Sequence, residues 1–597
     1  MVAGKTFYRF QLSTLFFLLQ YKENNRFGGK VSTLAPDRTR YLRVPPQQNG
    51  GFSGALAAPA CLQGGHTVMR KLHHIGLFIA LVCLATGVAR AQSFRVQCPT
   101  STVTHPVAAN NNAEPAYAGP TYTGTSGFPA APAHVNGAIK CQQISGGDGF
   151  ATMGDGTQTY MFSFGPLSGL ADIANGQPGT EFPSVFNTVY SGTPLLPGDP
   201  ATTGLPAFTY NGAVGLVPDG DNGGAINGHV DARPIEDVGV MNGNIPAPLM
   251  AIDEDDEFFL TLTNVGMIMR PDLFEQHTVH FHGYPNASAF YDGVPDASVA
   301  INIGGSFTYY YLAPDAGTYF WHCHITPPEH LQMGMVGQLY VRPRQNRVPI
   351  GGSLYNALVA QQTDPRTACN SAADILCSNP VPAVVPVSNG RAATGNYAYN
   401  DGDGSTHYDV EYPIQIHGFD PNFHFVGMTF NPEGFTDMKD KYFLLNGRSY
   451  PDTVQSGPLE TNSTDGANHF SQPLPSIINI PAGGKALLRI SDLDVTEYQT
   501  LASLGIPMHV IALNAKLLRD QAGINLAYDS NSITLAGGES LDVILDATNY
   551  TAPNTFYLYT PNLDHLSNDA ENFGGLMTEV HVCTSVDPLT KVGVGCN

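Results

Sequence analysis

From Val238 onward the chain falls into short runs of β-branched and aromatic residues split by Gly, Pro and Asn turns. The runs lie at Glu257–Thr263, His277–His282, Ser306–Leu312, Gly317–His324 and Gly337–Val341. Runs of this length and spacing predict the strands of a sandwich or barrel. A second series follows at Tyr412–Ile416, Tyr442–Leu445, Ser476–Ile480, Ala486–Ile490, Met508–Leu513, Ser540–Leu545 and Thr555–Tyr559. No stretch sustains a helical period, so the pattern predicts an all-β chain with two sandwiches. Asn242-Gly243-Asn244-Ile245-Pro246 and Asn446-Gly447-Arg448-Ser449-Tyr450-Pro451 open comparable stretches of the two halves and hint at a duplicated domain. The segment from Gln92 to about Ile235 is rich in Gly, Pro, Asn and Thr, with one strand candidate at Thr157–Phe164. It reads as one early strand followed by a long insertion over 165–235. The predicted division is a first domain over 92–345, a Pro/Ala/Asn-rich linker over 346–400 and a second domain over 401–597.

Composition narrows the class. Only 13% of the 597 residues are charged, too few for a disordered chain or a coiled coil. At roughly 150 residues per domain the length suggests about four domains, or two or three if all-β domains run large. The first 91 residues hold 11 Lys and Arg but only two acids, Glu23 and Asp37, which leaves 17 basic and 48 acidic residues in the rest. A field of that sign repels nucleic acid and anionic membrane and favours cations, metal ions included.

The basic N-terminus has its own explanation. Arg70 and Lys71 after Met69, the apolar stretch Ile75–Leu84 and the small-x-small site Ala89-Arg90-Ala91 predict a secretory signal peptide over 69–91, cleaved before Gln92. Its apolar run is too short for a membrane span. Residues 1–68 then read as a non-native upstream extension, with Met69 the true start. The expectation is an exported protein, periplasmic or extracellular, with no membrane span in the mature form. Seven cysteines remain after Cys61 and Cys83 are removed. Cys98, Cys141, Cys369, Cys377, Cys583 and Cys596 flank or separate the patterned regions, where an oxidising compartment tolerates disulfides. Cys323 is the odd one, set between two histidines.

Two clusters carry the chemistry: His277-Thr278-Val279-His280-Phe281-His282, and Trp321-His322-Cys323-His324 continuing through His330 to Met335. Residues two apart on a strand share a face and neighbours oppose each other. That period sets His280, His282, His322 and His324 on one side and His277 with Cys323 on the other. A thiolate, two imidazoles and a weak axial thioether form the ligand set of a blue-copper electron-transfer site, which His277, Cys323, His330 and Met335 supply. Met333 competes with Met335 for the axial place. The four histidines of the other face suit further copper ions at which dioxygen or another oxidant binds. Zinc would more naturally show several cysteines or a closed tetrahedral set.

These residues resemble the multicopper oxidase (cupredoxin) family over roughly Ile235 to Val582. The resemblance implies two cupredoxin-like Greek-key sandwiches with long loop insertions. It also implies a type 1 copper taking single electrons from a small reductant and passing them to a trinuclear, type 2 and type 3, copper cluster that reduces dioxygen to water. Asp292, ten residues after His282, resembles a carboxylate that helps deliver the protons this reduction needs, and Glu329 is a second candidate. Asp292 followed by Gly293 also suits a plain turn.

Two features depart from the family pattern. Six residues separate Cys323 from His330, more than usual. The second domain lacks paired histidines, offering only His509 and His565 at the matching places. A layout with type 1 copper in the first of two domains is similar to two-domain laccases and to copper-containing nitrite reductases. In that arrangement His509 and His565 complete a site across a subunit interface, which allows a homotrimer and leaves open whether the site holds three coppers or fewer. For His509 the alternative is an ordinary strand histidine. His417, His424 and His469 lack ligand spacing and read as surface or packing residues; His105, His134 and His229 are isolated.

Three functions compete on these residues. The first is an exported oxidase of a metal ion or phenolic reductant, to which the acidic surface would admit Fe(II), Mn(II) or Cu(I). The second is a nitrite-reductase-like enzyme with type 1 and type 2 copper. The third is a non-enzymatic blue-copper electron carrier, which would have no need of the four outer histidines.

Overall fold

The computed structural model describes residues 96–112, 137–187, 243–347 and 396–596, apart from short gaps within them. The expected signal peptide, the upstream extension, most of the linker with Cys369 and Cys377, and His134 and His229 lie outside the described residues. The described chain is mostly strand.

The first sandwich is built from β1 (Ile139–Thr152), β2 (Gln158–Pro166), β3 (Met250–Asp253), β4 (Glu257–Gly266), β5 (His280–Phe281), β6 (Ser306–Leu312), β7 (Gly317–His322) and β8 (Val336–Arg342). One sheet runs β2-β1-β4-β6 and the other β3-β8-β7-β5. Alternation decides which side chains meet between them. Phe258, Leu260 and Leu262 of β4 lie opposite Tyr311, Tyr309 and Phe307 of β6. All six pack in one core with Tyr319, Trp321, Leu339 and Val341 of the facing sheet.

Two sequence expectations are corrected here. The region before Val238 holds a fourteen-residue strand, β1, besides the expected one. Its Ser145-Gly146-Gly147-Asp148-Gly149 run reads as loop, yet each glycine sits where another group comes too close for a side chain. A Cβ on Gly146 would lie 2.5 Å from the His277 ring, and one on Gly149 would lie 2.7 Å from the Gly243 carbonyl oxygen. The ladder to β4 slips between Gly146 and Gly147, as glycine at a bulge allows. The expected strand His277–His282 shrinks to β5, with His277 held by a single bridge to Ile301.

The second sandwich follows with β9 (Val410–Phe419), β10 (Tyr442–Leu445), the hairpin β11 (Leu459–Asn462) and β12 (Asn468–Gln472), β13 (Ile478–Pro481), β14 (Lys485–Asp492), β15 (Gln499–Leu504), β16 (Met508–Leu513), β17 (Lys516–Leu517), β18 (Tyr528–Ser530), β19 (Ser532–Leu535), β20 (Ser540–Asp546), β21 (Asn554–Tyr559) and β22 (Met577–Cys583). Its sheets run β10-β9-β14-β20-β16-β17, with β18 beside β16, and β13-β22-β21-β15-β19. Ile414, Leu488, Val510 and Val543 pack against Ile480, Leu501, Leu558 and Val580 between them.

The outer face of the β7–β8 sheet is covered by this second sandwich. Phe320 and Val336 pack on Leu493. Thr318 Oγ1 donates to Asp542 at 2.6 Å, Ser540 Oγ donates to the Thr318 carbonyl at 2.7 Å, and Gln338 Nε2 donates to the Arg489 carbonyl at 2.9 Å. Ile245 also meets the second of the two Asn-Gly phrases, since a Cβ on Gly447 would lie 2.0 Å from the Ile245 carbonyl oxygen. Beneath them Glu411 accepts from Arg342 at 2.7 Å and from Arg489 at 3.1 Å. Burial opposes the charge on Glu411, but the two guanidiniums outweigh it and hold the carboxyl well below its usual range. Removing one partner of such a buried pair strands the others, so Glu411→Ala is expected to cost about 3–5 kcal/mol in denaturant unfolding.

Disulfides Cys98–Cys141 and Cys583–Cys596 tie down the two ends of the described chain, and Cys323 is free and buried. His105 is buried against Glu257, whose carboxylate takes hydrogen bonds from His105 at 2.7 Å, Thr104 at 2.6 Å, Tyr310 at 2.7 Å and Thr102. Burial opposes its ionisation, but these donors prevail and lower the pKa from 4.5 to about 2. A depressed folded pKa stabilises above the unfolded value and is lost as pH falls through the folded one. Wild type should therefore lose stability between pH 4.5 and 2 more steeply than Glu257→Gln, as read by denaturant midpoints across that window; equal slopes would refute the assignment.

Candidate metal centre

Strand β7 and the two residues after it organise the site. Tyr319, Trp321 and Cys323 point into the first sandwich core, while Phe320 packs on the opposite face. Inside, the ligand atoms of His277, Cys323 and His330 lie within 4.8 Å of one another. His330 Nδ1 stands 3.2 Å from Cys323 Sγ, and the Thr278 amide donates to the same sulfur at 3.4 Å. Burial works against a Cys323 thiolate, but the His330 charge and hydrogen bond, with backbone N–H groups, hold the thiol below its usual range. Burial also opposes charge on His330, but Cys323 and Glu275 raise it to about 9 in the metal-free chain.

His277 is the strongest sign that this pocket is built for a ligand. Its ring is fully buried, burial drives its pKa well below the usual value, and neither ring nitrogen has a hydrogen-bond partner. Buried polar groups are ordinarily satisfied, so a neutral imidazole beside a thiol with both nitrogens unpartnered fits a soft metal ion. Gly146 makes room for that ring, a requirement visible only in the fold.

The long interval between Cys323 and His330 folds into a short helix, Pro327–Gln332, with proline in its first turn. Proline suits that position because its missing N–H would have no intrahelical partner. The Cys323 amide donates to the Met335 carbonyl at 3.1 Å and the Met335 amide to the His330 carbonyl at 2.8 Å, so backbone bonds tie the three residues together. Met333 and Met335 are both fully buried in the core around Cys323.

On the other side, the ligand atoms of His280, His282 and His322 lie within 4.8 Å of one another. The His324 ring stands 5.1 Å from that of His280 and 5.4 Å from that of His322. His282 Nε2 and His322 Nε2 are 3.0 Å apart. His280 Nδ1 bonds to the Asp292 carbonyl and His322 Nδ1 to the Cys323 carbonyl, each at 2.6 Å. A carbonyl only accepts, so in both rings Nδ1 carries the proton and Nε2 keeps its lone pair for a ligand. His282 is bonded to the backbone of Gly538 from the second sandwich. Burial lowers all three, His282 to about 4, so they stand neutral as metal ligation requires. A cavity of about 240 Å³ opens beside them, lined by His282, Phe320, Asn514, Gly538 and Ser540 among others. Gly538 and Asn514 escape sequence reading because they act through backbone and position in an Ala-Gly-Gly turn and a strand end.

The remaining candidates are placed as follows. Asp292 both shapes a turn and borders the outer histidines. A Cβ on Gly293 would lie 2.0 Å from the Val279 carbonyl oxygen, and the Asp292 carboxylate lies 3.6 Å from His280 Nδ1. Glu329 sits on the helix of the inner cluster, where burial raises its pKa and its charged neighbours are His330, Glu275 and Arg270. Glu275, overlooked in the sequence, reaches within 3.6 Å of His330 Nε2. His509 bonds Asp529 at 2.7 Å on β16. His565 is buried on the Phe443 ring, with Nδ1 bonded to Gln499 at 2.9 Å and Nε2 3.2 Å from Glu497. Among the described residues of one chain, neither joins either ligand group.

Comparison with known proteins places the site in context. Residues 226–346 match the sequence model of the family described as multicopper oxidase. Laccase abr2 of Aspergillus fumigatus is 34% identical over 109 residues, which cover 18% of this chain and 17% of that one. A copper-containing nitrite reductase of Rhizobium meliloti is 34% identical over 110 residues, 18% of this chain and 26% of that one. These matches span about a sixth to a quarter of the relatives' own length. A blue copper oxidase from Nitrosomonas europaea superposes with a TM-score of 0.42 at 17% identity, over 74% of this chain and 85% of that one.

Proposed function

We propose that the protein, whose residues 226–346 match the multicopper oxidase family model, is an exported copper oxidase coupling four one-electron oxidations of a small reductant to reduction of dioxygen to two waters. One observation carries this reading: two ligand clusters stand back to back across one strand end, His277–Cys323–His330 inside and His280–His282–His322 outside. The same proposal includes the division into domains 92–345 and 401–597 joined by the linker 346–400. Copper, when bound, supplies the one-electron redox change at the inner site and the oxygen-reducing centre at the outer one.

The chain's own residues make that coupling short. Cys323 is covalently joined to His322 and His324, and the His322 Nδ1–H bond to the Cys323 carbonyl adds a second bridge between the faces. The core around Cys323 and His277 excludes water from the inner site. Asp292 orients His280 through its carbonyl and holds a carboxylate at the rim of the outer site, where four protons are needed per dioxygen. Asp292→Asn should slow oxygen uptake without moving the visible band of the inner site; a shifted band would assign it a structural role.

Completion of the outer site by His509 and His565 of a neighbouring copy, in a homotrimer, belongs to the same proposal. His509, with Nδ1 on Asp529, keeps Nε2 for a ligand, whereas His565 would have to release Glu497. Disulfides support export, and no described helix is long and apolar enough to cross a membrane. The reductant class is a metal cation or a phenol.

The test is copper per chain, the visible spectrum and oxygen uptake on protein beginning at Gln92. About four coppers, an intense blue band and reductant-dependent oxygen uptake are expected. About two coppers with nitrite turnover and no oxygen uptake would replace this reading with a nitrite reductase, and a band without turnover would leave an electron carrier.

A further inference from the structure

Two histidines without ligand spacing, His417 and His424, are buried in the second half of the chain. They lie at the C-terminal end of helix Pro327–Gln332, where the last carbonyls of any helix lack intrahelical partners. His417 Nε2 bonds the Leu331 carbonyl and His424 Nε2 the Gln332 carbonyl, each at 2.9 Å. The buried Gln332 side chain is held as well, its Nε2 donating to Asp440 at 2.9 Å and its Oε1 accepting the Asp420 amide at 3.1 Å. Every one of these partners comes from the second half, and the helix they hold carries His330. Its exit leads straight to Met335, with the Gly334 amide on the Leu331 carbonyl at 3.0 Å and the Met335 amide on the His330 carbonyl at 2.8 Å.

Resting on the copper reading above, we propose that His417 and His424 are positioning residues of the inner site. By capping the helix that bears His330 they fix His330 and Met335, so the second sandwich sets the geometry of a centre built in the first. The two caps differ in strictness. His417 Nε2 bonds the Leu331 carbonyl at 2.9 Å, with the Gly418 backbone and the Asp494 carboxylate beside the ring. His424 stands between two carbonyls, those of Gln332 and of Tyr160 on β2, and burial holds it neutral at about 3, so its one N–H donates to only one of them. His417 therefore carries the test.

His417→Phe removes the donor and keeps a ring; His417→Asn is polar but too short; His417→Gln places an amide nitrogen where Nε2 stood. Hydrogen exchange on the copper-free chain reads the helix end, and the visible band and reduction potential of the copper-loaded chain read the site. Leaving the buried Leu331 carbonyl with the Gly334 amide alone should speed exchange at Gly334 and Met335 roughly tenfold in the Phe and Asn variants, with Val543 in β20 unchanged. The band and potential should shift in the same two variants, and Gln should restore all three readouts. Unchanged exchange and an unmoved band in H417F would overturn the proposal and leave packing only. Should H417F not fold, the Asn and Gln variants decide, and identical behaviour of those two overturns it. A wild-type chain that takes up copper without a visible band sinks the copper reading itself, whereas a wild-type band unmoved by H417F sinks only the positioning role, even where exchange at the helix end has changed.

Discussion

Cys323→Ser is expected to erase the visible band and stop oxygen uptake while leaving the outer copper in place. The hydroxyl is a hard, weakly acidic donor where the inner site offers a thiol already held below its usual range by His330. His277 and His330 alone make a poor site for one-electron exchange at a buried position. The fold should survive, because the Thr278 amide and His330 Nδ1 that face the sulfur remain as partners for the hydroxyl. The stability cost should then sit near the low end of the roughly 1–3 kcal/mol typical of an imperfectly satisfied buried polar group. Copper analysis should show about one ion fewer than wild type, and oxygen uptake should fall to background. A variant that keeps a blue band would remove Cys323 from the inner site and the electron route with it.

The juxtapositions at the centre of the site are local enough to read from sequence. A two-residue period at Trp321-His322-Cys323-His324 separates the sulfur from the imidazoles on either side, and the structure follows that period through Tyr319, Trp321 and Cys323. His277 reaches the inner pocket by a different route from the one expected, through a lone bridge to Ile301 rather than a continuous strand. What was hidden depends on long-range packing. β1 looks like loop because its glycines are chosen by neighbours far away in sequence, His277 at Gly146 and Gly243 at Gly149 among them. Helix Pro327–Gln332 is too short to show a period, and its caps arrive from residues 417 and 424. Gly538 holds His282 through its backbone, which no side-chain pattern signals.

His282→Ala should give the opposite failure to Cys323→Ser, and the pair together separates the two clusters. His282 stands on the outer face, bonded to Gly538, with its Nε2 3.0 Å from that of His322. It touches neither Cys323 nor His330, so the inner site should keep its band and accept electrons from the reductant as wild type does. Changing a metal's outer-shell partners alone commonly costs about 10–100-fold, so loss of a ligand should lower oxygen uptake by more than about a hundredfold. The decisive readout is reoxidation. In wild type a band bleached by reductant should return in air within the turnover time; in H282A it should bleach and stay bleached, because the route onward ends at an incomplete cluster. Folding is protected by the position, which borders a cavity of about 240 Å³ rather than a packed core. If H282A reoxidises as fast as wild type, the outer histidines are not the oxygen-reducing site, and the four imidazoles on that face need another explanation.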